Sequence, residues 1–133
     1  MKPIKVTMQA FGSYTAKTTI DFKKLYNDNI FLIAGPTGSG KTTILDAICF
    51  ALYCRATGGL RSWKDMRNIS VAENVPTLVD FEFILNNESY RFTRSIKLHH
   101  KRKSNEIEFR SEHACYKMSN KTWELIHSGS ESK

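Results

Sequence analysis

Residues 30–43 read Ile30-Phe31-Leu32-Ile33-Ala34-Gly35-Pro36-Thr37-Gly38-Ser39-Gly40-Lys41-Thr42-Thr43. The opening run to Ala34 is continuously apolar, so burial of both faces is expected, as in the central strand of a covered sheet. Gly35 to Thr42 fits G-x-x-x-x-G-K-[ST] with no mismatch. From Lys41 to about Tyr53 the pattern turns helical. Ile44, Leu45, Ile48, Ala51 and Leu52 recur at three-to-four spacing, and Ala47 and Phe50 widen the apolar face. Strand, glycine-rich loop and helix, in that order, predict an α/β fold built on a P-loop.

The chemistry follows from the spacing. Glycines let the backbone turn with several N–H groups facing inward and no Cβ in the way. A helix beginning near Lys41 adds unpaired N–H groups and a partial positive charge at its start. Together they form an anion cradle suited to a polyphosphate. Gly35, Pro36, Thr37, Gly38, Ser39, Gly40, Lys41, Thr42 and Thr43 are the candidate nucleotide-binding residues. Lys41, the candidate catalytic residue, is expected to reach the β- and γ-phosphates of ATP. The Thr42 hydroxyl is expected to coordinate the Mg²⁺ that bridges them. A glycine-rich turn with a chance Lys-Thr is the structural alternative.

On the N-terminal side, Ile4, Val6, Met8 and Ala10 alternate with Lys5, Thr7 and Gln9, the pattern of a half-buried strand. Phe11-Gly12-Ser13-Tyr14 breaks it with a glycine turn, and Thr18, Ile20 and Phe22 begin a second strand antiparallel to the first. Tyr26-Asn27-Asp28-Asn29 is turn chemistry. Ala56-Thr57-Gly58-Gly59 ends the helix, and Leu60 to Pro76 is polar, with at most a helical turn over Asp65 to Ser70. From Thr77 the pattern is β. Val79, Phe81, Phe83 and Leu85 share a face, Asn86-Asn87-Glu88 turns the chain, and Tyr90 and Phe92 begin the return strand. Lys97 to Asn105 reads as a basic loop. Ile107 and Phe109, then Ala114, Tyr116 and Met118, read as strand, Ser119-Asn120-Lys121 as a turn, and Thr122 to Ile126 as a last strand. Ser128 to Lys133 carries no packing signal. The division expected is residues 1–75 for strands, P-loop and first helix, and 76–133 for an antiparallel β-region.

Composition narrows the function classes. The 133 residues are 41% hydrophobic and 25% charged, which excludes wholesale disorder. Twenty Lys and Arg against thirteen Asp and Glu give a net charge of +7, which favours polyanionic partners. No apolar run approaches the roughly 18–20 residues of a membrane helix. The start, Met1-Lys2-Pro3-Ile4-Lys5, lacks a secretory apolar stretch. A cytoplasmic protein without membrane contact is expected. Cys49, Cys54 and Cys115 form no CxxC pair and have no metal-ligand spacing with His99, His100, His113 or His127, so they read as reduced packing thiols.

Ile4-Lys5-Val6-Thr7-Met8-Gln9-Ala10-Phe11-Gly12-Ser13-Tyr14, with Thr19-Ile20-Asp21-Phe22, resembles the opening of the bacterial SbcC family, within the SMC-like branch of the ABC ATPases. The likeness continues through Asn29 to Thr43, Asp46-Ala47-Ile48-Cys49-Phe50-Ala51-Leu52-Tyr53 and Leu60-Arg61-Ser62. It grows diffuse after Lys97. The resemblance implies the N-terminal lobe of an ABC-type head, with an antiparallel β-subdomain packed on the P-loop core. It also implies a role in DNA break repair: ATP joins two copies of the head, and their engagement governs access of an SbcD-like nuclease partner to DNA. Cys54 stands where that family often has glycine, and Gly12 where some relatives carry arginine near the nucleotide. The Q-loop, signature and Walker B residues of such a head are absent from these residues. The chain is therefore expected to bind ATP with little or no turnover by itself.

Other residues have competing readings. Ten basic and five acidic residues lie between Arg91 and Lys133, and Arg91, Arg94, Lys97 and His99-His100-Lys101-Arg102-Lys103 suit either DNA-backbone contact or a solvated face. Arg55, Arg61 and Arg67 suit phosphate neutralisation or surface solvation, Arg61 with the better case for the first. Ser13 and Tyr14 suit the nucleotide's vicinity or simple turn chemistry. Trp63 and Trp123 read as packing. The rival functions are another SMC-like or RecF-like head, a small-molecule kinase, and a nucleotide-binding module that never turns over.

Overall fold

The computed structural model describes residues 1–26, 31–59, 61–100 and 107–132. Its frame is one antiparallel sheet of strands β1 (Lys2–Gln9), β2 (Thr18–Asp21), β3 (Thr77–Leu85), β4 (Glu88–His100), β5 (Ile107–Ser119) and β6 (Thr122–Ser132). The order across the sheet is β2-β1-β3-β4-β5-β6. A single α-helix among the described residues, α1 (Lys41–Tyr53), lies on one face, packed over β3, β4 and β1.

Alternation in sequence becomes two faces in space. Val6 pairs with Phe81 and Met8 with Val79, putting all four under the helix. Phe11, Phe50 and Ile96 complete a fully buried cluster with them, and the Phe11 and Phe50 rings meet at 5.4 Å between centroids. Arg94 is buried at this interface, its guanidinium 5.8 Å from the Phe50 ring. The opposite face is polar. Thr7 and Thr19 share a hydroxyl hydrogen bond of 2.9 Å, Lys5 pairs with Glu82 at 3.0 Å, and Arg91 Nε donates to Asp80 Oδ2 at 2.8 Å.

Two turns set the register of the long hairpins. Asn86 and Asn87 both take positive φ, 51° and 63°, and close β3 onto β4 with Leu85 opposite Glu88. Asn120 and Lys121, at 48° and 65°, do the same for β5 and β6. Such two-residue turns match the right-handed twist of the flanking strands, and asparagine tolerates them better than most side chains.

Five expectations need correction. Ile30 lies outside the described residues, and residues 31–34 form no strand: Leu32 is 88% exposed and Phe31 47%. The run is apolar enough for a covered strand, but no described strand pairs with it. In α1 the apolar pattern overstates burial, since Leu45 is 52% exposed while Thr43 and Asp46 are buried. The short helical turn after α1 is a 3-10 turn over Trp63–Met66, not Asp65 to Ser70. The last strand runs to Ser132, because its far half pairs with β5 through backbone and needs no apolar side chains. β4 likewise continues to His100, into the stretch read as a basic loop; 101–106 lie outside the described residues, as do 27–29 of the expected turn and Leu60.

Cys54 closes α1 with φ 58° and ψ 34°, its N–H donating to the Phe50 carbonyl at 2.9 Å. That left-handed position favours glycine by sterics alone. Cys54→Gly is therefore expected to raise stability by about 0.5–1 kcal/mol, reduced by whatever packing the thiol contributes. Chemical denaturation of both forms, giving equal or lower stability for the glycine variant, would contradict it.

Candidate phosphate-binding site

The loop from Gly35 to Gly40 leads directly into α1. Gly40 is the N-cap residue, at φ 90° and ψ 15°, and no side chain caps the helix start. No acidic residue stands in the first turn. The first N–H groups of α1 thus keep their partial positive charge for an external anion. Ser39 N donates to the Pro36 carbonyl at 3.2 Å, closing a turn over Thr37 and Gly38.

Lys41 folds back over this loop. Its Nζ donates to the carbonyl oxygens of Gly35 and Pro36, at 2.7 Å each. The ammonium therefore lies over the same backbone whose amides would hold a phosphate. Gly35, Pro36, Thr37, Gly38, Ser39 and Thr42 are exposed, Lys41 is half-buried, and Gly40 and Thr43 are buried. The nine candidates are brought together as one exposed loop on a buried footing. A phosphate chain suits it: the exposed residues are small, the charge is positive and the helix start is uncapped. Thr42 would supply one hydroxyl to Mg²⁺; among the described residues, no cluster of three or more metal-ligating side chains exists.

The footing comes from the turn after β1. A Cβ on Gly12 would overlap Thr43 Cγ2 and lie 3.1 Å from Thr43 Oγ1, so backbone meets helix there with no space for a side chain. An arginine at position 12 would have no room in this packing. The Tyr14 ring abuts Gly40, with its Cε2 3.0 Å from where a Cβ would stand, and its hydroxyl donates weakly to the Gly40 carbonyl at 3.4 Å. Tyr14 thus lies against the phosphate loop, while Ser13 is exposed beside it.

Four of the other basic candidates are committed elsewhere. Arg61 donates to Asp46 Oδ2 at 2.6 Å. Arg67 donates to the carbonyls of Val75 and Ala72, at 2.7 Å each, and organises the loop before β3. Arg55 is exposed. Lys97 is paired with Glu112 at 2.5 Å and Arg91 with Asp80. Lys101, Arg102 and Lys103 lie outside the described residues. Trp63 packs against the core, and Trp123 lines a polar hollow on the outer face of the sheet. Cys115 is a packing thiol, its ionisation pushed up by burial and partly countered by Arg94.

Two site-supporting residues had no signature in the sequence. Asp46, one turn into α1 and 1% exposed, accepts from Thr57 N at 2.9 Å and from the Thr57 hydroxyl besides Arg61. Asn68 reaches the Gly12 carbonyl from 56 residues away, at 2.7 Å.

Comparison with known proteins identifies the family. A family model described as an AAA domain matches residues 5–132. The chain belongs to the AAA domain family. Within it, 94 residues are 47% identical to the SbcC protein of the SbcCD nuclease of Vibrio cholerae, covering 71% of this chain and 9% of that protein. The SbcC proteins of Staphylococcus saprophyticus and Staphylococcus aureus are each 43% identical over 94 residues, again 71% of this chain and 9% of their length. The chain thus spans about a tenth of the length of the curated relatives it matches, and the SbcC resemblance read from its sequence is borne out. No described helix of this AAA domain is long and apolar enough to cross a membrane.

Asp46 and Arg61 differ in burial, and their variants are expected to differ in cost. Asp46→Ala strands the Thr57 N–H and should destabilise by about 2–3 kcal/mol. Arg61→Ala removes a half-exposed partner and should cost about 1 kcal/mol or less. Urea unfolding of the two variants checks the ordering; equal losses would contradict it.

Proposed function

We propose that this chain is the ATP-binding part of an ABC-type head in an SbcC-like DNA-repair ATPase. The observation that carries the reading is Lys41 held over the phosphate loop by the Gly35 and Pro36 carbonyls, at the uncapped start of α1. The identity to SbcC proteins of the SbcCD nuclease supports the larger assignment.

On this reading Gly35 to Thr43 bind the triphosphate. Main-chain N–H groups of the loop and of the first turn of α1 donate to phosphate oxygens. Lys41 exchanges its two carbonyl partners for β- and γ-phosphate oxygens, gaining hydrogen bonds between opposite charges in place of bonds to neutral acceptors. Mg²⁺ held by Thr42 would neutralise charge on the same phosphates. Tyr14 and the Gly12 turn keep the loop seated.

Hydrolysis needs more than binding. Phosphoryl transfer depends on positioning the nucleophile and stabilising charge. Asp46, the acid on α1, is buried and committed to Thr57 and Arg61, so it is unsuited to orient water. We assign turnover to a complete head, paired with a second copy. DNA and an SbcD-like nuclease are the proposed partners, and the cytoplasm the proposed compartment. The bare run at Phe31 and Leu32 fits a lobe whose covering strands belong to the rest of such a head. Residues 1–75 and 76–133 are on this reading two parts of one lobe.

Titration of the chain with Mg·ATP should show saturable binding with negligible steady-state hydrolysis. Lys41→Ala should weaken that binding by about two orders of magnitude or more, since it removes the ammonium held over the phosphate loop. Wild-type affinity in the Lys41→Ala protein, measured by calorimetry, would overturn the proposal.

A further inference from the structure

Three hydrogen bonds join the turn after β1 to the end of the 3-10 turn and the residues that follow it. Gly12 N donates to the Met66 carbonyl at 2.8 Å, and Asn68 N donates to the Ala10 carbonyl at 2.9 Å. These two bonds make Phe11 and Arg67 an antiparallel bridge. Asn68 Nδ2 then donates to the Gly12 carbonyl at 2.7 Å. The Asn68 side chain is held in turn by Ser70 N, which donates to Oδ1 at 2.9 Å. Both ends of the amide are satisfied, so its orientation is fixed.

The far end of the clamp is rigid. Arg67 is tied to the carbonyls of Val75 and Ala72, and the Thr77 hydroxyl at the start of β3 donates to the Ala10 carbonyl at 3.0 Å. The near end is the phosphate loop. Gly12, whose carbonyl Asn68 holds, is the residue that leaves Thr43 no slack, and Tyr14 of the same turn abuts Gly40. The turn is closed on itself by reciprocal bonds between Phe11 and Tyr14, at 2.9 Å each, so it moves as a unit. A shift at the Gly12 carbonyl therefore reaches the loop at two points, Thr43 and Gly40.

We infer that Asn68 is a positioning residue for the phosphate loop: by fixing the Gly12–Tyr14 turn it sets the loop geometry on which triphosphate affinity depends. This rests on the nucleotide-binding reading above and names a residue 27 positions past Lys41 that touches neither loop nor ligand. Pre-set geometry raises affinity because the loop need not be ordered when the anion arrives.

The test separates the donor from the local turn. Asn68→Asp keeps an oxygen for Ser70 N but replaces the N–H donor with a carboxylate facing the Gly12 carbonyl. Inorganic tripolyphosphate serves as a probe with no base or ribose, beside Mg·ATP. Asn68→Asp is expected to lower affinity for both by the same factor, about five- to tenfold, with unfolding still cooperative. In the ligand-free protein, amide exchange of Ser39 to Lys41 should speed up while that of the Phe81–Phe92 pair stays unchanged. A merely structural role would speed both. Asn68→Ala, which removes the donor without adding charge, takes the place of Asn68→Asp should the latter not fold.

Wild-type affinity for both anions in a folded Asn68 variant would overturn the inference alone. So would a loss confined to ATP, which would place the turn at the nucleoside instead. Lys41→Ala, run alongside, reports on the nucleotide reading independently. A wild-type chain that takes up neither anion would remove that reading and this inference together.

Discussion

The close packing of Gly12 on Thr43 is the contact on which the site depends. It is backbone against a β-branched side chain, with no intervening atoms. It fixes where α1 begins relative to β1, and hence where the phosphate loop lies. The Phe11 and Phe50 rings reinforce it from the core side, and the Tyr14 ring from the solvent side. Protein interiors of this density transmit displacement, because no void absorbs it. A loop that is itself exposed is thus located by three residues of a neighbouring turn.

That arrangement explains what was legible in the sequence. The helix from Lys41 to Tyr53 was readable because its loop and its apolar spacing agree, and the structure places it there. The hairpin turns at Asn86-Asn87 and Asn120-Lys121 were readable because positive φ has few tolerant residues. The pairing of β1 with β2 followed from alternation. Contacts at long sequence separation were not readable. Nothing in Asn68-Ile69-Ser70 announces a partner at Gly12, and nothing in Asp46 announces Thr57. Both are polar groups whose partners exist only after the chain has folded back. The apolar run before the loop misled for the opposite reason. Composition reports that a segment is suited to burial, whereas burial itself needs neighbours on both sides.

Electrostatics separates Lys41 from several of the other described cations. Arg61, Arg91 and Lys97 each hold a carboxylate within the fold, Arg67 is wrapped in the carbonyls of the loop before β3, and Arg94 is buried over an aromatic ring. These cations serve local structure. The three with acid partners add little to any external field, since each pair is neutral at a distance. Lys41 differs. Its acceptors are neutral carbonyls of an exposed loop, so its charge is uncompensated by any carboxylate in those bonds and open to an arriving anion. On the nucleotide-binding reading, a +7 chain need not rely on its total charge; an ammonium held over a loop of amides is a more specific source of attraction.

The same comparison bears on how the loop can be both stable and ready. A lysine bonded to two carbonyls of its own loop is held in place at small net cost, because such hydrogen bonds exchange with water at nearly equal free energy. Phosphate oxygens, being charged, would displace those carbonyls on the proposed reading. On the proposed reading, the loop would keep its ammonium oriented until an anion arrives and release it then without breaking any bond between α1 and the sheet. Rigidity belongs to the footing of Gly12, Thr43 and Asn68, and adaptability to the side chain of Lys41. On the proposed reading, a head that binds and releases a nucleotide needs both, and these two properties reside in different residues.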